Sequence, residues 1–182
     1  MRNALGMIET MSIPLGIQAG DAMLKTAEVE LVASQAACAG KYIVIVEGEV
    51  AAVRSSVEAG KASAGSALVD SLVIPGIHEQ VAPAIGAAAE IEEVNALGIM
   101  ESYSMCAAIQ AADAAVKAAA VNLIEVRLGR GLGGKAFVIL TGEVAAVQSA
   151  VQAAQALEEV QGMFGASTVI PSPHKKIIDS IC

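Results

Sequence analysis

The apolar and polar positions of the first ninety residues change spacing several times, and each change predicts an element. Ala4–Thr10 reads as a short strand. From Gly16 to Ala27 the spacing is helical, with Ile17, Met23 and Leu24 apolar and Asp21 four residues before Lys25, a favourable helix-surface pair. Val29–Ser34 and Tyr42–Val46 are two β-rich runs around a turn of small residues. Gly48-Glu49 opens a second helix, where a carboxylate in the first turn suits the helix dipole. Leu68–Ile74 is a fourth strand, stopped by Pro75-Gly76, and a short helix follows through Ile85. The predicted order is β-α-β-β-α-β, an α+β domain with a four-stranded sheet and helices packed on it.

That order then repeats. Ala4-Leu5-Gly6-Met7-Ile8-Glu9-Thr10 returns as Ala96-Leu97-Gly98-Ile99-Met100-Glu101-Ser102, and positions 4–32 and 96–124 are identical at 14 of 29 places. The offset is 92 here, becomes 94 where Gly40-Lys41 matches Gly134-Lys135, and 96 where Ile74-Pro75 with His78 matches Ile170-Pro171 with His174. Two domains follow, 1–92 and 93–182, joined near Glu90–Asn95; the period is far too long for a solenoid repeat.

Composition narrows the function. The 182 residues are 55% hydrophobic and carry a net charge of -8, which excludes a disordered chain. The longest stretch free of Asp, Glu, Lys and Arg, Val160–His174, is broken by polar residues and prolines, so no membrane span is expected. The acidic balance and 2% aromatics argue against nucleic acid as a partner. Met1-Arg2 leads straight into a pattern that already carries Glu9, so no secretory signal is expected. Cys38, Cys106 and Cys182 are too few for a disulfide framework, so a cytosolic chain with reduced thiols is expected. No nucleophile elbow, H-E-x-x-H or Cys-x-x-Cys is present, and the expectation is a protein that is not an enzyme.

The fragments L-G-x-I-E, D-A-x-x-K, G-K-x-x-V-x-x-x-G-E-V-A-A-V and V-I-P-x-x-H occur in order in the first half and recur in the second, with Met100 in place of the Ile. Together they resemble the bacterial microcompartment shell (BMC) domain, twice and unpermuted, over nearly the whole chain. Asp21-Ala22-Met23-Leu24-Lys25, Cys38-Ala39-Gly40-Lys41 and Val69-Asp70-Ser71-Leu72-Val73 resemble most closely the tandem-domain type of propanediol-utilisation compartments. The resemblance implies a ferredoxin-like sheet in each domain and a homotrimer whose six domains mimic a hexagonal tile. It also implies a place in a polyhedral shell in the cytoplasm, with other shell proteins as partners. Two unequal halves in one chain reduce sixfold symmetry to threefold while keeping a closed ring.

Candidate chemistry centres on two turns. The resemblance places the turn between the second and third strands around the central axis, so Ala37, Cys38, Ala39 and Gly40 would be pore-loop residues, as would Gly129, Arg130, Gly131, Leu132, Gly133 and Gly134. On sequence alone Cys38, among alanines, reads as an inert small hydrophobe. One thiolate cannot hold an iron–sulfur cluster, which takes four ligands. The resemblance implies a different outcome: three Cys38 copies on a threefold axis would bind one [4Fe-4S] cluster per trimer, for electron transfer or cluster delivery to a luminal or cytosolic redox enzyme. The alternative is a cluster-free tile whose axial loops form a metabolite pore.

Gly129–Gly134 fits G-x-G-x-x-G, but Lys135–Leu140 reads as a strand where a dinucleotide site needs a helix, so a hairpin is expected. Lys25 and Lys117 are solvated helix lysines by pattern; the resemblance makes them tile-edge residues. His78 and His174 have no second ligand at metal spacing and share that implied edge role, though the arginine usual in the family's edge motif is absent. Cys106 is expected to begin a helix as a buried structural thiol, and Cys182 to be a bystander at the end of the sequence.

Overall fold

The structure, a computed structural model, describes residues 3–91 and 93–181; Cys182 lies outside the described residues. By contact the chain forms two compact units, Met1–Ile77 with Gly129–Gly134, and His78–Leu128 with Lys135–Cys182. Among the described residues no helix is long and apolar enough to cross a membrane.

The first unit is built from β1 (Ala4–Thr10), α1 (Ile13–Thr26), β2 (Val29–Ala37), β3 (Lys41–Gly48), α2 (Val50–Ala64) and β4 (Leu68–Pro75). The strand order β2-β3-β1-β4, with every neighbour antiparallel, is the ferredoxin-like arrangement expected. Helix α1 begins three residues before the sequence pattern suggests. Ser12 accepts a hydrogen bond from the Leu15 N–H, and Pro14, which lacks an N–H, stands in the first turn where none is needed. Strands β2 and β3 also run further than predicted, because Ala36 and Ala37 pair with Tyr42 and Lys41 up to the turn.

The second unit carries β5 (Ala96–Ser102), α4 (Met105–Ala118), β6 (Val121–Leu128), β7 (Ala136–Gly142), α5 (Val144–Gln155), β8 (Phe164–Ile170) and α6 (Lys175–Ile181), with sheet order β6-β7-β5-β8. Preceding these, α3 (Val81–Ile85) lies along β6 and touches α4. Glu49 and Glu143 occupy the N-cap positions of α2 and α5. Cys106 is the second residue of α4 and is buried, as the sequence suggests.

Every residue of β1 is buried; the strand is central in its sheet, and α2 packs on the face that carries Gly6. The repeated carboxylates Glu9 and Glu101 end in matching ion pairs. Glu9, almost wholly buried, holds Lys41, whereas Glu101 holds Lys135 at 3.1 Å in a half-exposed setting. Glu101, first by its hydrogen bond and then by its charge, raises the Lys135 pKa above its usual value. Burial makes the two pairs unequal. Glu9→Gln leaves Lys41 without a counter-charge in a shielded place and is expected to cost about 3 kcal/mol. Glu101→Gln is expected to cost much less, as for solvated pairs. Urea unfolding midpoints of the two variants check the contrast; equal losses would contradict it.

Candidate functional site

Strand β2 delivers Ala37 to a 3-10 turn, Cys38–Gly40, from which β3 returns. Three consecutive small residues let the chain reverse here at little steric cost. Gly40 has φ 73°, and Ala39 has φ 64° and ψ 29°, the left-handed region that L-residues with a side chain enter at a cost. A proline at position 39 would be locked near φ −65° and could not adopt this conformation. Cys38 is thereby held half-buried at the tip of the turn.

Within the same unit, the Gly129–Gly134 segment wraps the thiol. The Cys38 N–H donates to the Gly129 carbonyl at 2.6 Å. In return Cys38 Sγ accepts from the Gly131 N–H at 3.0 Å and the Leu132 N–H at 3.3 Å. Gly129, Gly131, Gly133 and Gly134 all have positive φ, between 63° and 93°. Alternating such residues with ordinary ones turns successive N–H groups toward one point, the concave nest in which backbone amides hold an anion. The glycines therefore serve the sulfur. They do not form a dinucleotide loop, because β7 follows them and no helix opens there. Arg130 is exposed.

The Leu132 N–H is the leading influence on the thiol and holds the Cys38 pKa below the ordinary 9.0; partial desolvation opposes it, and the N–H groups of Gly134, Gly133 and Gly131 add to the lowering. A folded thiol that loses its proton more easily than an unfolded one stabilises the fold as pH rises through its folded value toward 9.0, and that contribution is lost as pH falls below the folded value. The alkylation rate of Cys38 against pH is accordingly expected to reach half its plateau below the midpoint of a free cysteine. Leu132→Pro, which removes the leading donor, is expected to move the midpoint up. A wild-type midpoint at or above that of an unstructured thiol would contradict the amide cradle.

The other sequence-predicted site residues make local contacts of their own. Lys25 and Lys117 close i,i+4 pairs with Asp21 and Asp113 on α1 and α4, at 2.6 and 2.5 Å. His78 and His174 accept, at Nδ1, the N–H of the residue two places on, Gln80 at 3.3 Å and Lys176 at 3.2 Å. Each imidazole thus fastens its own turn. The amide donors of residues 131–134 were not tied to Cys38 by sequence reasoning. The signal was present in the alternating glycines, but nothing in the sequence sets residues 93 and 94 positions apart side by side, as the Cys38–Gly131 and Cys38–Leu132 bonds do. Among the described residues, no group of three or more His, Cys, Asp or Glu side chains could hold a metal within one chain.

The comparisons agree with this architecture. The BMC domain family matches at residues 4–77 and again at 96–173. The chain is 42% identical to the bacterial microcompartment shell protein PduT of Citrobacter freundii, over 97% of this chain and 96% of that one. It is 34% identical to the carboxysome assembly protein CcmO of Synechococcus elongatus, over 98% of this chain and 68% of that one. A crystal structure of a microcompartments protein from Desulfitobacterium hafniense DCB superposes with a TM-score of 0.94 at 46% identity, covering 98% of this chain and 99% of that one. With two ferredoxin-like units, each matching the same domain family, the chain belongs to the bacterial microcompartment shell proteins built from tandem BMC domains.

Proposed function

We propose that three copies of this shell protein close into a pseudohexagonal tile and that their Cys38 thiolates together hold one [4Fe-4S] cluster. The observation that carries the reading is the amide cradle. A cysteine that serves only as a small apolar filler has no use for backbone donors aimed at its sulfur, whereas a thiolate ligand does. N–H groups directed at Sγ favour the deprotonated form that binds metal. An iron–sulfur cluster takes several such thiolates, and the reading draws the others from further copies of the chain.

Symmetry supplies them. Each chain has one turn with a cysteine and one without, so a threefold ring brings three thiolates and leaves the fourth iron site to water or a small ligand. Three thiolates gathered without a cation repel one another, and an iron core turns that repulsion into bonding. When bound, the cluster supplies one-electron transfer. The chain's own part is to present Cys38 Sγ deprotonated, to hold it on a closed turn, and to draw charge from it through the Leu132 and Gly131 amides, which tunes a cluster potential. Electrons, or the cluster itself, would then pass between the cytosol and a luminal enzyme without an opening wide enough to leak intermediates.

A second reading, a cluster-free tile whose loops form a metabolite pore, is favoured by Arg130, an exposed cation beside the same turn. Anaerobic purification with iron and sulfide analysis, and EPR after dithionite reduction, separates the two. The cluster reading expects about four irons and four sulfides for every three chains. Protein that stays iron-free after attempted reconstitution would leave the pore reading.

A further inference from the structure

Residues 36–40 and 128–134, which together surround the Cys38 thiol, contain a single charged side chain, that of Arg130. The bonds that tie the Gly129–Gly134 segment to the cysteine bracket this arginine. The residue before it, Gly129, accepts from the Cys38 N–H at 2.6 Å, and the residue after it, Gly131, donates to Cys38 Sγ at 3.0 Å. The Arg130 Cα therefore stands one chain step, about 3.8 Å, from the Cα of each bonded residue. Its place beside the sulfur is fixed by the backbone that forms the cradle.

The cations that flank the two turns are neutralised, and this one is not. Arg127 pairs with Glu125 at 2.6 Å and lies over the Phe137 ring, Lys41 pairs with Glu9, and Lys135 pairs with Glu101 at 3.1 Å. Arg130 is exposed, and among the described residues it makes no ion pair. A chain of net charge -8 has carboxylates to spare, yet none stands against this arginine. The neighbour it does have is the sulfur of Cys38, which becomes an anion as a metal ligand.

We infer that Arg130 is the counter-charge of the cluster site: three copies, one from each chain, ring the Cys38 thiolates and favour the reduced cluster over the oxidised one. The inference rests on the proposed tile and its cluster, and adds a residue to them. Charge sets the direction of the effect. An oxidised four-iron core carries two positive charges, so three thiolates and a neutral fourth ligand leave one negative charge in total. One electron, taken from a one-electron carrier, makes that two. A fixed cation stabilises the more negative state more strongly, so the arginine ring raises the reduction potential and eases electron entry. Arginine suits the place because its charge does not titrate.

Redox titration followed by EPR tests this on wild type, Arg130→Gln and Arg130→Lys, all purified without oxygen. Arg130→Gln is expected to hold the same iron per chain but to be reduced at a lower potential, by about 59 mV or more, a tenfold change in the one-electron equilibrium. Arg130→Lys keeps the charge and is expected to recover most of the shift. Loss of iron in Arg130→Gln with retention in Arg130→Lys would also support the counter-charge, since the thiolates would then need it to stay together. The same potential in all three proteins, or a lysine variant displaced as far as the glutamine one, would overturn the inference and leave the cluster. Loss of iron in both variants would overturn it in favour of a purely structural arginine. A wild type that takes up no iron would remove the cluster reading itself.

Discussion

Cys38→Ser is expected to abolish bound iron and sulfide outright while leaving the fold and the ring unchanged. The loss is complete because the copies are identical, so every ring loses all three thiolates at once. A serine hydroxyl stays protonated where the amide cradle favours a thiolate, and it is a poor ligand for iron. The side chain sits half-buried on an exposed turn and supports no core, so the denaturation midpoint is expected to stay where it is. Co-assembling wild-type and variant chains sharpens the test: cluster content should fall with the cube of the wild-type fraction, to about one-eighth at equal mixing, if three thiolates are required. A linear fall would mean that one thiolate per site suffices. Cys106→Ala, which touches a buried helical position, is the matching control; it should keep the iron and cost about 1 kcal/mol of stability.

Gly6→Val is expected to have the largest effect on folding, about 3 kcal/mol, the upper range for forcing extra carbons into a filled core. A Cβ at Gly6 would stand 2.6 Å from Val57 Cγ2 and 2.7 Å from Val53 Cγ1, where α2 lies against β1. The strand cannot retreat, because it is bonded to β3 on one side and β4 on the other. Gly98→Val should repeat the result in the second unit, where the added atom would meet Leu140 and Val147 at 2.8 Å. Gly40→Ala makes the useful contrast: a Cβ there has nothing within 4 Å, so only its positive φ is penalised, by about 1 kcal/mol. Denaturant midpoints measure all three. Losses of similar size at Gly6 and Gly40 would show that helix–strand closeness does not set the cost.

These glycines also show why so much of the fold was legible. Gly6 and Gly98 stand in the same fragment of each repeat because each strand needs a helix at close approach, so the sequence states one packing requirement twice. Element order and the α+β class were legible in the spacing, and the ferredoxin-like sheet in the family resemblance. Helix α1 starts earlier than its apolar spacing predicts, because behind a Ser12 cap Pro14 suits a first turn and Gly16 lets Tyr42 and Thr10 come close. Strands β2 and β3 outrun their β-rich runs because Ala36 and Ala37, with little strand preference of their own, are extended by their partners.

The site was legible in part. Cys38 could be singled out as a candidate from its turn and the family resemblance, but the amides around its sulfur come from a loop more than ninety residues away, and hydrophobic period carries no record of such proximity. The place of residues 78–85 was hidden for a similar reason: chain order attaches the segment to the first repeat, and only its bonds to Asp113, Asn122 and Leu123 attach it to the second unit.

The most direct test of the central claim is the intact mass of the assembly, measured by native mass spectrometry on protein purified without oxygen. The account predicts one species of three chains plus the mass of a single four-iron, four-sulfide cluster, and the bare three-chain mass for Cys38→Ser. A wild-type trimer at the bare chain mass after reconstitution, or iron that persists in Cys38→Ser, would contradict it.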